Sequence, residues 1–379
     1  MGLYPNEQVI GVFGEQVKWP GLGPDGKFTN GSFTDPLVKP SFIPAETLNL
    51  LLDNMQRVIE GAGLDPNNIE RDQLVRAVKA LNKKTATFVV GSIGAGHTLA
   101  DCDYLCDGVD DQVEINAAIQ ALPAGGGEVV IREGTYNITG RVNVNKANVT
   151  ITGMGAATIL KRMYDETDDG GIIHITGNNV KVTHLFVNGN KTTYRNVVNH
   201  GIYSSGSYSI IITNNTFNNN GYGIMLAGSN SIASGNISNN NNVHGIISTG
   251  SNSTITGNIS NNNWYGITLA GSNSIASGNI SNNNRYGIFL NGGSNSTITG
   301  NNCNNNDDDG IIVNGGSNNT ITGNSFLRGT GLTTDYSAAQ YTIRVEGGAN
   351  NLFVGNNILG KNYVNNGGAT HAFANNKYS

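Results

Sequence analysis

The chain is 379 residues long, with room for one large domain and a small one. Charged residues make up 13% of it and its net charge is −5, which gives no basic surface of the kind nucleic acid requires. Its three cysteines cannot form a disulfide framework, and no apolar run approaches the roughly 20 residues of a membrane span.

Residues 1–40 are rich in Gly, Pro and aromatic residues and show no period, so they read as extended or irregular. Met1–Glu7 has neither a basic start nor an apolar core, so no secretory signal is expected. Pro44-Ala-Glu opens a helix, because Pro is tolerated in the first turn and an acid there suits the helix dipole. Leu48, Leu51, Met55 and Val58 follow at helical spacing, and Gly61 or Gly63 ends it. A second helix is expected over 69–81, with Leu74, Val78 and Leu81 on one side. The spacing suits packing on copies of the chain or of one helix on the other.

Residues 86–160 lead into a β-rich region. A helix begins near Asp107, capped by Asp110 or Asp111, with Ile115, Ala118, Ile119 and Leu122 as its apolar face. Strands follow from Gly125. Cys102 and Cys106 lie four apart without the second pair that a metal half-site needs; whether they bond to each other stays open. No metal is assigned.

From Gly201 the chain repeats. Gly-Ile recurs at Gly201, Gly223, Gly245, Gly266, Gly287 and Gly310, at intervals of 22, 22, 21, 21 and 23 residues. Asn215, Asn236, Asn258, Asn279, Asn301 and Asn324 keep the same beat. A fixed period in this range marks a solenoid. The apolar pieces are too short for helices and alternate as strands do, with turn formers between them. The expected fold is an all-β solenoid, a right-handed single-stranded parallel β-helix with a small helical N-terminal segment. Its Ile residues should stack in a buried column and its Asn residues in an amide ladder. Ala233 and Ala276 share the slot of Ile255 and Ile298, so small and large core residues alternate. Cys303, in the slot of Ser238, Ser260 and Ser281, should be a packed thiol. A helix near 107–122 would lid the solenoid end.

Asp107-Gly-x-x-Asp-x-x-x-Ile-x-x-Ala-Ile, then Gly-Gly-x-Val-x-Ile, Gly-x-Tyr-x-Ile and Ile151-Thr-Gly-Met-Gly, resembles the start of the pectate-lyase-superfamily β-helices. These are also the bodies of phage tailspikes and tail fibres. The resemblance covers 101–160 and runs through the repeats to about 360. It implies a tail protein of the virion, made in the host cytoplasm and released by lysis, that binds a cell-surface polysaccharide. Residues 1–85, including Phe33-Thr-Asp-Pro, resemble the particle-attachment segment that joins tail or baseplate proteins. The resemblance further implies a homotrimer. Charge and the lack of an apolar span give no reason to expect nucleic-acid binding or membrane insertion, and no cofactor is expected, Ca²⁺ being the alternative to consider. The expected divisions are 1–85, 86–160 for the capping helix and first coils, 161–360 for the repeats, and 361–379 as a C-terminal cap outside the pattern.

Chemistry is harder to place. Enzymes of this superfamily include lyases and glycosidases, and glycoside hydrolysis needs two carboxylates some 5–10 Å apart. No Asp or Glu lies between Asp169 and Asp307. The catalytic candidates are therefore Asp168 and Asp169 at one end, in a cluster with Asp165, Glu166, His174, His184 and Arg195. At the other end they are Asp309, Asp335 and Glu346, with Asp307, Asp308 and Arg344. Runs of adjacent Asp mostly mark exposed turns, so both clusters read as solvated acidic turns in preference to a catalytic or Ca²⁺ site, and the reading leans away from an enzyme. The residue before each Gly-Ile is His200, Tyr222, His244, Tyr265, Tyr286 or Asp309, and Trp264 adds a ring. Tyr222, His244, Trp264, Tyr265 and Tyr286 are the glycan-binding candidates; equally, the rings could stack only on each other. Met225, Ile247, Phe289 and Ile312, apolar at outward positions, suggest a lateral subunit contact. The insertions at 188–199 and 327–341 should protrude as binding loops. A purely structural shaft is the third alternative.

Overall fold

The computed structural model describes residues 9–10, 16–17, 45–65, 73–82, 86–327, 341–359, 363–367 and 370–378. The chain divides into two compact units, Met1–Thr85 and Ala86–Ser379. In the first, helix α1 spans Ala45–Gly61 and helix α2 Gln73–Asn82. Among the described side chains of these helices Ile59 and Ala77 are the buried apolar ones, whereas Leu51, Met55 and Val78 of the expected stripes are exposed. Phe33-Thr-Asp-Pro lies outside the described residues.

The second unit is a right-handed parallel β-helix with three faces. A ten-stranded sheet runs from Val142–Val144 to Val364–Asn365 and contains every Gly-Ile strand. A thirteen-stranded sheet runs from Tyr104–Cys106 and Thr87–Ser92 to Ala372–Ala374. The third face starts as a five-stranded sheet, Gly134–Ile138 to Ile237–Asn239. It continues as single bridges through Ile259, Ile280 and Asn302, and ends in a three-stranded sheet closed by Lys377–Tyr378. Strand pairing in this unit is parallel, as stacked coils require.

The register is that of the sequence repeat. Ile224, Ile246, Ile267, Ile288 and Ile311 pair in turn and are fully buried. Each contributes roughly 1.5–3 kcal/mol by burial. Ala233, Ile255, Ala276 and Ile298 also pair in turn, so small and large side chains alternate along that column. On the third face Ser238, Ser260 and Ser281 are buried, and their hydroxyls donate to the carbonyls of Gly245, Gly266 and Gly287 at 2.7–2.8 Å. Cys303 continues the column as a buried free thiol. These contacts also explain the glycine of Gly-Ile. A Cβ on Gly245 would stand 1.8 Å from Ser260 Oγ, so only glycine fits there.

Two Asn ladders run along adjacent bends. In the first, Nδ2 of Asn236, Asn258, Asn279 and Asn301 donates to Oδ1 of the next Asn, 2.9–3.0 Å away. The second comprises Asn220, Asn241, Asn263, Asn284 and Asn306; its first three links are the same Nδ2 to Oδ1 bonds, and in the last the backbone amide of Asn284 donates to Asn306 Oδ1. Other asparagines, among them Asn240, Asn262 and Asn283, hold positive φ beside it, a region Asn enters more readily than other non-glycine residues.

Helix α3, Gln112–Ala121, lids the first coils and buries Ile115, Ala118, Ile119 and Leu122 in the core. Asp111 precedes it but does not cap it with its side chain. Its carboxylate instead accepts from the amides of Gly108 (2.8 Å) and Asn137 (2.6 Å), tying the helix entry to the neighbouring coil.

The expected break at about residue 360 is corrected. Ala372–Ala374 pairs with Leu352–Val354, and Asn376 accepts from Asn356 Nδ2 at 3.0 Å. The amide ladder therefore continues into the last residues. Among the described residues no helix is long and apolar enough to cross a membrane.

Candidate functional site

The rings preceding Gly-Ile form a continuous column of contacts, tilted at His200–Tyr222, edge-on at Tyr222–His244 and stacked from His244 to Tyr286. His200 and Tyr222 have centroids 4.3 Å apart, Tyr222 and His244 4.7 Å, His244 and Tyr265 4.8 Å, and Tyr265 and Tyr286 5.1 Å. Phe289 stacks on Tyr265 as well, and His174 stacks on Tyr203 near the other end. These spacings follow from coil stacking: successive coils rise by about 4.8 Å, a ring-stacking distance.

The rings therefore do pack on each other. His244 is only 8% exposed and its Nδ1 is hydrogen-bonded to Thr268 Oγ1 at 2.9 Å. It offers no open face, which removes it from the set of ligand-contacting candidates. Tyr222, Tyr265 and Tyr286 are half-buried. Burial pushes His200 and His244 down to about 4, His200 against the opposing pull of Asp169, and both rings are neutral at pH 7. Met225, Ile247 and Phe289 are half-buried and Ile312 is buried, so the outward apolar column is only partly open.

Trp264 differs from the ladder rings: it is 46% exposed. It lines an open groove of about 400 Å³ together with Asn242, Asn262, Asn283, Lys191, Arg285 and Asp307. The insertion near residue 191 folds back to form one wall, where Lys191 Nζ donates to the carbonyl of Asn240. Arg285 lies 4.2 Å from the Trp264 ring and pairs with Asp308. The groove combines an apolar ring, a row of amides at coil spacing and both signs of charge.

Each carboxylate cluster is organised by an arginine. At the N-terminal end Arg141 donates to Glu166 at 2.7 and 2.9 Å and also binds Asp168. Asp169 faces His200 Nε2 at 3.7 Å. Tyr164 donates to Glu166 at 3.2 Å and is pushed up to about 12 by burial. Fully buried Arg162 lies over its ring and donates to the His200 carbonyl at 2.6 Å. At the other end Asp309 is buried, accepts from the Tyr341 amide at 2.8 Å and faces Arg344 Nε at 3.0 Å. Burial raises it to about 6. Glu346 is 3.6 Å from the same arginine, and Asp335 lies outside the described residues. The strands beside Asp169 and Asp309 are separated by those starting at Asn199, Ile224, His244, Tyr265 and Tyr286. At about 4.8 Å per coil the two clusters are roughly 29 Å apart and cannot act on one glycosidic bond within a chain. Arg141 and Arg162 escaped the sequence reading: neither falls on the repeat, and only the fold brings Glu166 back to them.

Among the described residues one group of three potential metal ligands comes together, Cys106, Asp111 and Glu114. Both Asp111 oxygens already accept backbone amides, and burial raises the Cys106 thiol, the Asp111 carboxyl and the Glu114 carboxyl.

A family model described as "Periplasmic copper-binding protein (NosD)" matches residues 129–274 and 247–379. No curated protein sequence matches the chain. Among solved structures, the mannuronan C-5 epimerase AlgE4 A-module of Azotobacter vinelandii is similar at 18% identity and a TM-score of 0.58, over 76% of this chain and 95% of that one. ORF18 of Geobacillus virus E2 is similar at 18% identity and 0.57, over 83% and 64%. The Dettilon tailspike protein is similar at 16% identity and 0.52, over 82% and 72%. At such identities the likeness is one of fold. Among the described residues the copper in the family's description finds no fitting donor set. Copper favours nitrogen and sulfur ligands, whereas the one three-residue group offers two carboxylates and a single thiol, and lies before the matched segment. His200 and His244 stand in separate coils with Tyr222 between them and cannot share an ion.

Proposed function

The chain belongs to the NosD family of parallel β-helices, and from that premise we propose that it is a phage or prophage tail fibre or spike protein that binds a host cell-surface glycan along its β-helix. The observation that carries the reading is the groove: an exposed Trp264 ring with Asn262 and Asn283, one coil apart in the same slot, and Asn242 in the slot of Trp264 one coil before it. Sugars are bound by an apolar ring face plus amides that satisfy hydroxyls, and a row of amides every 4.8 Å or so suits an extended chain lying along the solenoid axis. The tailspike similarity supports a place in the virion tail; we add to it 1–85 as the attachment segment to tail or baseplate proteins and a homotrimer as the assembled form.

A second reading, a polysaccharide depolymerase, is favoured by one observation: exposed Asp168 and Asp169 gather with Arg141, Tyr164, His174 and His200. Similar structures include a mannuronan C-5 epimerase module, a DFA-IIIase and the enzymatically active domain of a phage tailspike. One experiment separates the readings. Purified protein is incubated with surface polysaccharides from a panel of bacterial strains, following retention, chain length and reducing ends. Retention without shortening, lost in Trp264→Ala, supports the binding fibre. Shortening that survives Trp264→Ala and is lost in Asp169→Asn moves the function to the charged cluster. Neither, across the panel, leaves a structural shaft.

A further inference from the structure

Lys191 is the unusual charge of the groove. Its ammonium donates to a backbone carbonyl, that of Asn240, and meets no carboxylate among the described residues. The side chain is only partly exposed, and loss of solvent alone lowers its proton affinity, with no opposing acid. A cation held in a half-buried position without a counter-charge is an unfavourable arrangement unless something else supplies the charge. The remaining charges of the groove are disposed differently. Arg285 is neutralised by Asp308, and Asp307 lies beyond it. Asn240, Asn262, Asn283 and Asn305, each at positive φ, hold one slot in successive coils, so Asp307 stands about three coils, roughly 14 Å, from Lys191. Along the groove the order is therefore Lys191, with no carboxylate partner among the described residues, then the Trp264 ring, then the Arg285–Asp308 pair.

We infer that this groove selects an anionic saccharide: a sugar ring seated on the open side of Trp264, with its carboxylate or phosphate toward Lys191. The inference rests on the glycan-binding reading and deepens it by naming the class of glycan. An ammonium is a point charge and serves either anion equally well. A charge-assisted hydrogen bond to a partly desolvated ammonium gives a preference of about ten- to a hundred-fold over the neutral analogue. The preference weakens as salt is raised, because the groove is open to solvent.

The test measures binding of the full chain, by calorimetry, to matched oligosaccharide pairs. These are oligomers of galacturonate, glucuronate and mannuronate, each beside its carboxyl-reduced neutral counterpart, and the neutral oligomers carrying a phosphate. Tighter binding of one charged form, retained in Lys191→Arg and lost in Lys191→Met at unchanged melting temperature, is the expected result. Whichever of carboxylate and phosphate shows the preference names the anion. Equal binding of charged and neutral forms, both lost in Trp264→Ala, overturns the anion preference and leaves the glycan reading standing. A preference that survives Lys191→Met overturns the role of Lys191. Absence of binding to any member of the pairs overturns both.

Discussion

The guanidinium of Arg285 sits 4.2 Å from the centre of the Trp264 ring while pairing with Asp308, so one side chain braces both the indole and the acidic turn of the next coil. A cation over an indole is worth about 0.5–1 kcal/mol at an exposed site, enough to hold the ring and too little to hold the fold. Arg285→Gln should leave unfolding free energy within about 1 kcal/mol of wild type. It should also loosen Trp264, seen as stronger acrylamide quenching in a Trp19→Phe background. Quenching equal to that of the parent would show that Arg285 does not brace the ring.

The first Asn ladder should respond more sharply. Asn279 accepts from the backbone amide and Nδ2 of Asn258, and donates to Asn301 Oδ1 and to the Ile255 carbonyl. Asn279→Ala strands the Asn258 amide and the Ile255 carbonyl in a buried bend, at about 1–3 kcal/mol each. A loss of roughly 2–5 kcal/mol is expected in urea unfolding, against little change for Asn283→Gly, whose positive φ glycine accepts. Equal stability of the two variants would overturn the ladder as a source of stability.

The alternating column offers a volume test. Ala276 pairs with Ile255 on one side and Ile298 on the other. Ile255→Ala should cost about 2–5 kcal/mol through the cavity it leaves, and Ala276→Ile about 1–3 kcal/mol by overpacking. Because the two side chains touch, the double variant should lose less than the sum, and a double-mutant cycle reads the difference. Strict additivity would mean that the coils do not share volume.

The repeat was legible because coil stacking imposes one spacing on every face, so the Gly-Ile and first Asn columns show it directly. The second ladder keeps that beat at Asn220, Asn241, Asn263, Asn284 and Asn306, but it hides among neighbouring asparagines whose backbones, as at Asn240, take positive φ instead. The last coil was missed because Ala372-Phe-Ala-Asn-Asn376 follows a shorter interval of 20 residues from Asn356. The aromatic column was readable as a stack, whereas which ring stays open was not: exposure of Trp264 depends on its lying one residue outside the pairing register of Tyr265. Arg141 with Glu166 and Lys191 with Asn240 are contacts between chain segments of different coils. No local pattern encodes them.

The ladder histidines predict an acid limb. His200 and His244 fall to about 4 in the folded chain, below the roughly 6.5 of an unfolded histidine. A lowered histidine means that folding favours the neutral ring. Its contribution is present above about pH 6.5 and is lost as pH falls through about 4. Each ring alone would account for on the order of 3 kcal/mol. Asp309 has the opposite sign. Raised to about 6, it penalises the folded state above that pH and relieves it as pH falls toward 3.8. The wild-type chain should therefore lose stability between about pH 6.5 and 4. His244→Tyr, which places the ring of Tyr222 and Tyr265 in that slot, should lose less across this window, and Asp309→Asn should lose more. Urea midpoints taken across the window decide it: a His244→Tyr slope equal to wild type would mean that the buried imidazole is not the group whose protonation opens the stack.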